Sequence, residues 1–323
     1  MKSIVFVSLL LTLFTRPAVG QVAYELVVAA DGSGDYQTIQ EAVNAAKAYP
    51  DSRITIFIKN GVYQEKVRVY SWNPLLTLKG ESVEWTIITY DDHFTKIGLG
   101  RNSTFHTYTL KVEANDFVAE NLTIENTAGP VGQAVALHVE GDRCQFRNCR
   151  ITGHQDTFYG AGEKSRQYFS RCYIEGTTDF LFGEATVVFD SCTIHSKSNS
   201  YITAASTPKG RPFGFVFMNC TLRADPGVDR VYLGRPWRDY AKVVFLNCEM
   251  GAHILPGGWA NWSGTGRDQT AFYAEYGSTG AGAFANERVE WSHQLRKKEL
   301  KSYRLEQIFK AGNQYPATDN WRP

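Results

Sequence analysis

Two aspartates, two glutamines and one arginine have the types and spacing to do chemistry. Asp156 lies in Gly153-His154-Gln155-Asp156-Thr157-Phe158, and Asp179 in Asp179-Phe180-Leu181-Phe182-Gly183, 23 residues later. Gln133, in Gln133-Ala134-Val135-Ala136-Leu137, precedes Asp156 by the same interval. A polar residue at each multiple of one interval predicts a coil whose turns stack. Gln133, Asp156 and Asp179 would then project from equivalent positions of three successive turns, with Gln155 beside Asp156. Carboxylates on neighbouring turns lie roughly 5 Å apart, and both cannot ionise easily unless a cation helps one of them. Arg235, in Leu233-Gly234-Arg235-Pro236-Trp237, can hold one as carboxylate in bidentate fashion. The other then keeps its proton more readily, which divides the pair into nucleophile and general acid. An aspartate beside Thr or Gly is by itself a turn residue; the joint set reverses that reading. Asp91, Asp92 and Asp142 lack such companions and are read as structural.

The elements that must position this set are short strands. The segments VAENLTI, QFRNCRI, YFSRCYI, VFDSCTI, VFMNCTL and VFLNCEM each place a polar residue before Leu or Cys and an aliphatic residue or Met two places later. Their anchor positions, Leu122, Cys149, Cys172, Cys192, Cys220 and Cys248, are 27, 23, 20, 28 and 28 residues apart. One constant strand per repeat with loops of variable length is the pattern of a parallel β-helix, in which no coil buries its apolar side alone and stacking creates one core. Upstream, Ile54, Ile56 and Ile58 alternate inward. Thr38 and Glu41 form a capping box for a short amphipathic helix with Ile39, Val43 and Ala46 on one face, placed to cover the open first coil. The stretch from Trp291 to Asn320, with a helical segment near LEQIFKAG, reads as a C-terminal helical and loop cap. The expected fold is therefore all-β, a single-stranded parallel β-helix capped at both ends, in one domain over 21–323.

Thirty-four basic and 33 acidic residues nearly cancel, so nothing in the charge points to a polyanion-binding surface of nucleic-acid type. Residues 1–20 read as a signal peptide: Lys2 is the positive n-region, Ile4 to Phe14 the apolar run, and Ala18-Val19-Gly20 the cleavage site. The run is shorter than the ~20 residues of a membrane span, so an exported protein, secreted and not membrane-bound, is expected. Six cysteines in an exported chain raise the question of disulfides. The anchor cysteines also serve as small buried hydrophobes. Coils ~4.8 Å apart nevertheless fall within disulfide reach, which makes Cys149–Cys172 and Cys220–Cys248 the candidate pairs, with Cys144 odd. The seven histidines, at 93, 106, 138, 154, 195, 253 and 293, show no ligand spacing, and neither metal nor other cofactor is expected.

GVYQEK (61–66), QAVAL (133–137), GHQDTF (153–158), DFLFG (179–183) and LGRPW (233–237) together resemble the pectin methylesterases, in order and over most of the chain. The resemblance implies a right-handed helix and hydrolysis of galacturonate methyl esters in pectin. It implies Asp179 as nucleophile and Asp156 as the acid that protonates methanol and then the base that activates water. Gln133 and Gln155 become oxyanion donors, a role typically contributing ~3–4 kcal/mol each, and Arg235 orients the nucleophile. Trp237, with Tyr159 and Phe158, would offer faces to sugar rings. An inhibitor protein is a partner open to such an enzyme, and a monomer is expected. Phe158 and Leu181 depart from the family pattern conservatively, and Ala205 in YITAAST replaces a polar Gln of many plant members, which bears on groove contacts. No plant-type inhibitory pro-region precedes the catalytic motifs, so activation by its removal is not expected. Competing readings are a glycosidase, which also uses paired carboxylates, a calcium-dependent lyase, and a non-catalytic carbohydrate-binding β-helix. The two glutamines and the arginine favour acyl chemistry over the glycosidase, no acidic calcium cluster is apparent for a lyase, and a binding module would not need the complete Asp/Gln/Arg set.

Overall fold

The computed structural model describes residues 24–310, 319 and 321–323; the signal segment lies outside them. Short strands follow one another along the chain and pair only in parallel, into sheets of eleven, seven and eight strands. Successive strands of one sheet belong to successive turns of the chain, for example Cys144–Arg147, Arg166–Ser170, Thr186–Asp190 and Phe215–Met218 in the large sheet. The architecture is a right-handed parallel β-helix.

The repeated heptamer is a corner of each coil. Asn121, Asn148, Arg171, Ser191, Asn219 and Asn247, the polar residues before the Leu/Cys anchors, all have φ between 50° and 56°. This left-handed conformation turns the chain from the large sheet into the eight-stranded one, and Asn tolerates it better than most residues. The anchors after them are buried. Inside the large sheet Phe146, Phe169, Phe189, Phe217 and Phe245 form one column, with neighbouring ring centroids 4.5, 5.1, 4.6 and 4.2 Å apart. In-register stacking of identical side chains is what gives the core its continuity.

The candidate disulfides are corrected by this geometry. All six cysteines are free and buried. Stacked Cα–Cβ bonds run parallel rather than toward each other, and each anchor thiol donates to carbonyls of its own and the preceding turn. Cys172, for instance, reaches Ser170 O at 3.5 Å and Phe146 O at 3.4 Å, and Cys220 reaches Met218 O at 3.4 Å and Phe189 O at 3.3 Å. Cys149–Cys172 and Cys220–Cys248 are thus rungs of a thiol ladder, and Cys144 donates to Ala114 O and Gly141 O.

Both caps are present. The helix Ile39–Ala45 has the complete Thr38–Glu41 capping box and buries Ile39, Ala42 and Val43. At the other end the helix Leu305–Phe309 is only five residues long. It buries Ile308 and Phe309 against Tyr168, Val188, Val216 and Val244 on the outer face of the large sheet. Arg166, fully buried, fastens this segment by donating to Asp142, Asp319 and the Phe309 carbonyl.

Candidate active site

The seven-stranded sheet carries the site. Its in-register ladder pairs Leu137 with Phe158 and Phe158 with Leu181, so these point inward, while His138, Tyr159 and Phe182 point outward. Phe158 is fully buried. Its expected role as a sugar platform is therefore corrected: it packs on Phe169 and Phe189 in the core. The alternation that buries Phe158 is the same one that delivers Tyr159 to the surface. Ala205 is likewise an inward, buried residue, so its departure from the family pattern touches packing and not the groove.

Asp156 and Asp179 stand at equivalent positions just before the paired strands Phe158–Gly160 and Leu181–Gly183, one rung of about 4.8 Å apart. Both have left-handed backbones, φ 64° and 49°, uncommon for non-glycine residues. Backbone hydrogen bonds fix these turns: Asp156 N–H donates to Thr178 O (3.2 Å) and Asp179 N–H to Tyr201 O (2.8 Å). The Asp179 carboxylate, 6% exposed, accepts two hydrogen bonds from Arg235, Nε to Oδ1 at 3.0 Å and Nη2 to Oδ2 at 2.7 Å. The guanidinium is sandwiched between the rings of Tyr201 (4.0 Å) and Trp262 (4.1 Å). Five donors in a planar fork suit this bidentate, stacked position, which lysine would not fill.

The electrostatics separate the two acids. Burial pushes the Asp156 carboxyl well above its ordinary range; the Asp179 charge adds to this and Arg235 opposes it. Burial also raises Asp179, but the hydrogen bonds and charge of Arg235 pull it back. The first proton therefore resides on Asp156, and Asp179 is the carboxylate of the pair.

Gln133 and Gln155 form a parallel bridge with each other, so the turn equivalent of Gln133 is Gln155 and not Asp156. Between Gln133 and Leu137 the chain is one residue longer than the matching stretch Gln155 to Phe158 of the next turn, because Leu137 pairs with Phe158, an offset of 21, while the bridge has an offset of 22. The expected single 23-residue interval thus holds from Asp156 to Asp179 and fails from Gln133 to Asp156. The backbone around Gln133 is fixed by Phe94 N–H to Gln133 O (2.9 Å) and by the buried amide of Asn126, which donates to the carbonyls of Asp92, Thr107 and Val135. Among the described residues neither glutamine side chain is engaged, which leaves both amides free to donate.

Around these groups runs an aromatic strip. Tyr159 stacks on Phe182 (4.7 Å, 11°), and Trp237 meets Phe182 edge-on at 5.8 Å. Phe105, from the short 3-10 helix Gly100–His106, and Trp262, from a loop, join the same cluster with no periodic signal in the sequence. Phe182 was hidden inside DFLFG; its outward position follows from Tyr159 by the 23-residue offset. Asp92 and Asp142 are ion-paired structural residues, to Lys66 and Arg166. Among the described residues no three His, Cys, Asp or Glu side chains converge to hold a metal ion, and no helix is long and apolar enough to cross a membrane.

Comparison with known proteins agrees with this geometry. A family model described as Pectinesterase matches residues 25–312. Pectinesterase 31 of Arabidopsis thaliana is 38% identical over 276 residues, 83% of this chain and 86% of that protein. The probable pectinesterase/pectinesterase inhibitor 23 of the same plant is 39% identical over 84% of this chain, which spans only 49% of that protein's length. The solved pectin methylesterase from carrot is similar with a TM-score of 0.83 at 34% identity, covering 91% of this chain and 95% of that one. A pectin methylesterase solved in complex with a hexasaccharide gives a TM-score of 0.75 at 28% identity, over 90% of this chain and 98% of that one.

Proposed function

The chain belongs to the pectinesterase family, hydrolysing the methyl esters of pectin, and we propose that it does so through a covalent intermediate on Asp179. The observation that carries this is the bidentate Arg235–Asp179 pair one rung from a carboxyl that keeps its proton. An Asp179 oxygen attacks the ester carbonyl carbon, and the carbonyl oxygen becomes an oxyanion facing the Gln133 and Gln155 amides. Such donors act on charge that exists only in the transition state, which is why they accelerate the step. The C–OCH₃ bond then breaks, and methoxide leaves as methanol with the proton of Asp156. In the second half, Asp156, now a carboxylate, takes a proton from water. The hydroxide attacks the acyl carbon, the bond to Asp179 breaks and restores its carboxylate, and the new galacturonic acid leaves, giving its proton to solvent as galacturonate.

Tyr159 and Trp237 flank the site with apolar faces for sugar rings, backed by the buried Phe182, and the solved relative with a hexasaccharide supports a polymeric substrate. Secretion as a monomer, after removal of residues 1–20, is part of the same reading and rests on the signal-like sequence. An inhibitor protein as partner is supported by relatives whose names join pectinesterase to its inhibitor. The test is methanol release from highly methylated pectin, with viscosity followed alongside and chelator present. Methanol at unchanged chain length, lost in Asp179→Ala, is expected. Falling viscosity without methanol would instead assign a depolymerase.

A further inference from the structure

The outward row of the seven-stranded sheet does not stop at the catalytic coil. In register, Phe182 and Tyr159 are followed by His138, Lys111 and Arg68 on successive rungs, and Tyr70, two residues after Arg68, keeps the outward phase. The ring of His138 touches Tyr159 at 4.7 Å, and at the far end the Arg68 guanidinium lies 5.3 Å over Tyr70. Tyr70 in turn stacks flat on Trp72, with centroids 4.5 Å apart and planes 5° from parallel. Trp72 remains 43% exposed, so the pair does not serve to bury its indole. The segment is held in place by its backbone: Tyr49 N–H donates to Trp72 O (2.7 Å) and Asn73 N–H to Tyr70 O (2.9 Å).

We propose that Tyr70 and Trp72 form a distal sugar-binding platform for the same esterified galacturonan chain whose reacting ester lies at Asp179. The inference rests on the assignment of Asp179 as the reacting centre. Three observations support this occupant. The platform lies in line with the catalytic strip on the same face of the same sheet, with the buried His138 on the rung between them. Four rungs separate the coil of Phe182 from that of Arg68, about 19 Å. A pyranose chain advances by close to one unit per rung, so the platform is reached by chains of about five or six units. Between the two ends, Arg68 and Lys111 pair with Glu113 at 2.8 and 3.0 Å, and Lys111 with Glu140 at 3.0 Å. These charges close among themselves, so the strip offers hydrogen bonds without a free cation to hold a run of carboxylates, which suits neutral methyl esters.

The test compares wild type, Trp72→Ala and Trp72→Phe on methyl-esterified oligogalacturonides of three and seven units, with mobility in gels containing highly methylated pectin as a binding measure. Trp72→Ala is expected to raise KM for the longer substrate roughly three- to tenfold and to leave the shorter one unchanged. Trp72→Phe keeps an aromatic face and recovers most of the loss. Equal effects on both lengths would mean a structural role and overturn the proposal, as would no effect on the longer one. If wild type released methanol from neither oligomer, the esterase mechanism would fail first. The gel would then still decide the platform, since equal retardation of wild type and Trp72→Ala refutes it.

Discussion

Arg235→Ala should move the acid limb of the pH–rate profile rather than merely lower activity. The substitution removes two charge-assisted hydrogen bonds, at 3.0 and 2.7 Å, from a carboxylate that is 6% exposed. Bonds of that kind contribute ~1.5–3 kcal/mol each, and the pair ~3–6 kcal/mol. The Arg235 side chain is 23% exposed, so water replaces part of the loss, and the lower figure of ~3 kcal/mol applies. At 1.36 kcal/mol per factor of ten, this disfavours the ionised form of Asp179 about 100-fold. Its pKa moves upward because losing the cation disfavours the charged form that Arg235 had stabilised. On the acid side, where rate follows ionised Asp179, kcat/KM should fall about 100-fold, with the gap closing as pH rises. Arg235→Lys keeps a charge but loses both the fork and the stacking between Tyr201 and Trp262, and should lie between the two. Methanol release from methylated pectin across the pH range measures this. A loss equal at every pH, with the acid limb where wild type has it, would refute the assignment of Arg235 to the ionisation of Asp179.

Three further outcomes follow from the same geometry. Gln133→Ala and Gln155→Ala should each lower kcat by about 10²–10³ with little change in KM, because the amides act on the transition state; an effect confined to KM would assign them to substrate binding. Asp156→Asn should raise thermal stability at neutral pH: a buried acid with a raised pKa gives full stability below its unfolded value near 4 and loses it as pH rises through the folded value. Calorimetry should show the gain over wild type vanish at and below about pH 4, and a gain that grows on acidification would contradict the raised pKa. Thiol titration should find no reactive cysteine in the native protein and six after unfolding without reductant; four or two would restore the disulfides.

The heptamer repeat carried the fold because a corner recurs in every coil: a polar residue in the left-handed conformation followed by a small buried anchor. That repeat is local, so sequence alone exposes it. Register is not local. The offset from Gln133 to its neighbouring turn is 22 rather than 23, since loops between strands absorb single residues without changing the motif. Phe158 could have been placed correctly: its equivalent one turn on is Leu181, an inward aliphatic, while Tyr159 aligns with Phe182. The thiol ladder misled because coil spacing satisfies the Cα distance of a disulfide while parallel Cβ directions do not. Phe105 comes from the short 3-10 helix Gly100–His106 and Trp262 from a loop, both in segments whose course depends on tertiary contacts such as Phe94 N–H to Gln133 O, and no periodicity marks them.

The covalent step on Asp179 is tested most directly with Asp156→Asn and an activated aryl ester of galacturonate. Its leaving group needs no proton, so acylation proceeds while the missing base slows deacylation. Mass spectrometry of the quenched protein should find one galacturonyl group on the peptide containing Asp179, formed with a stoichiometric burst of the aryl alcohol. Steady turnover with no adduct on that peptide, or equal turnover by Asp179→Ala, would contradict the mechanism.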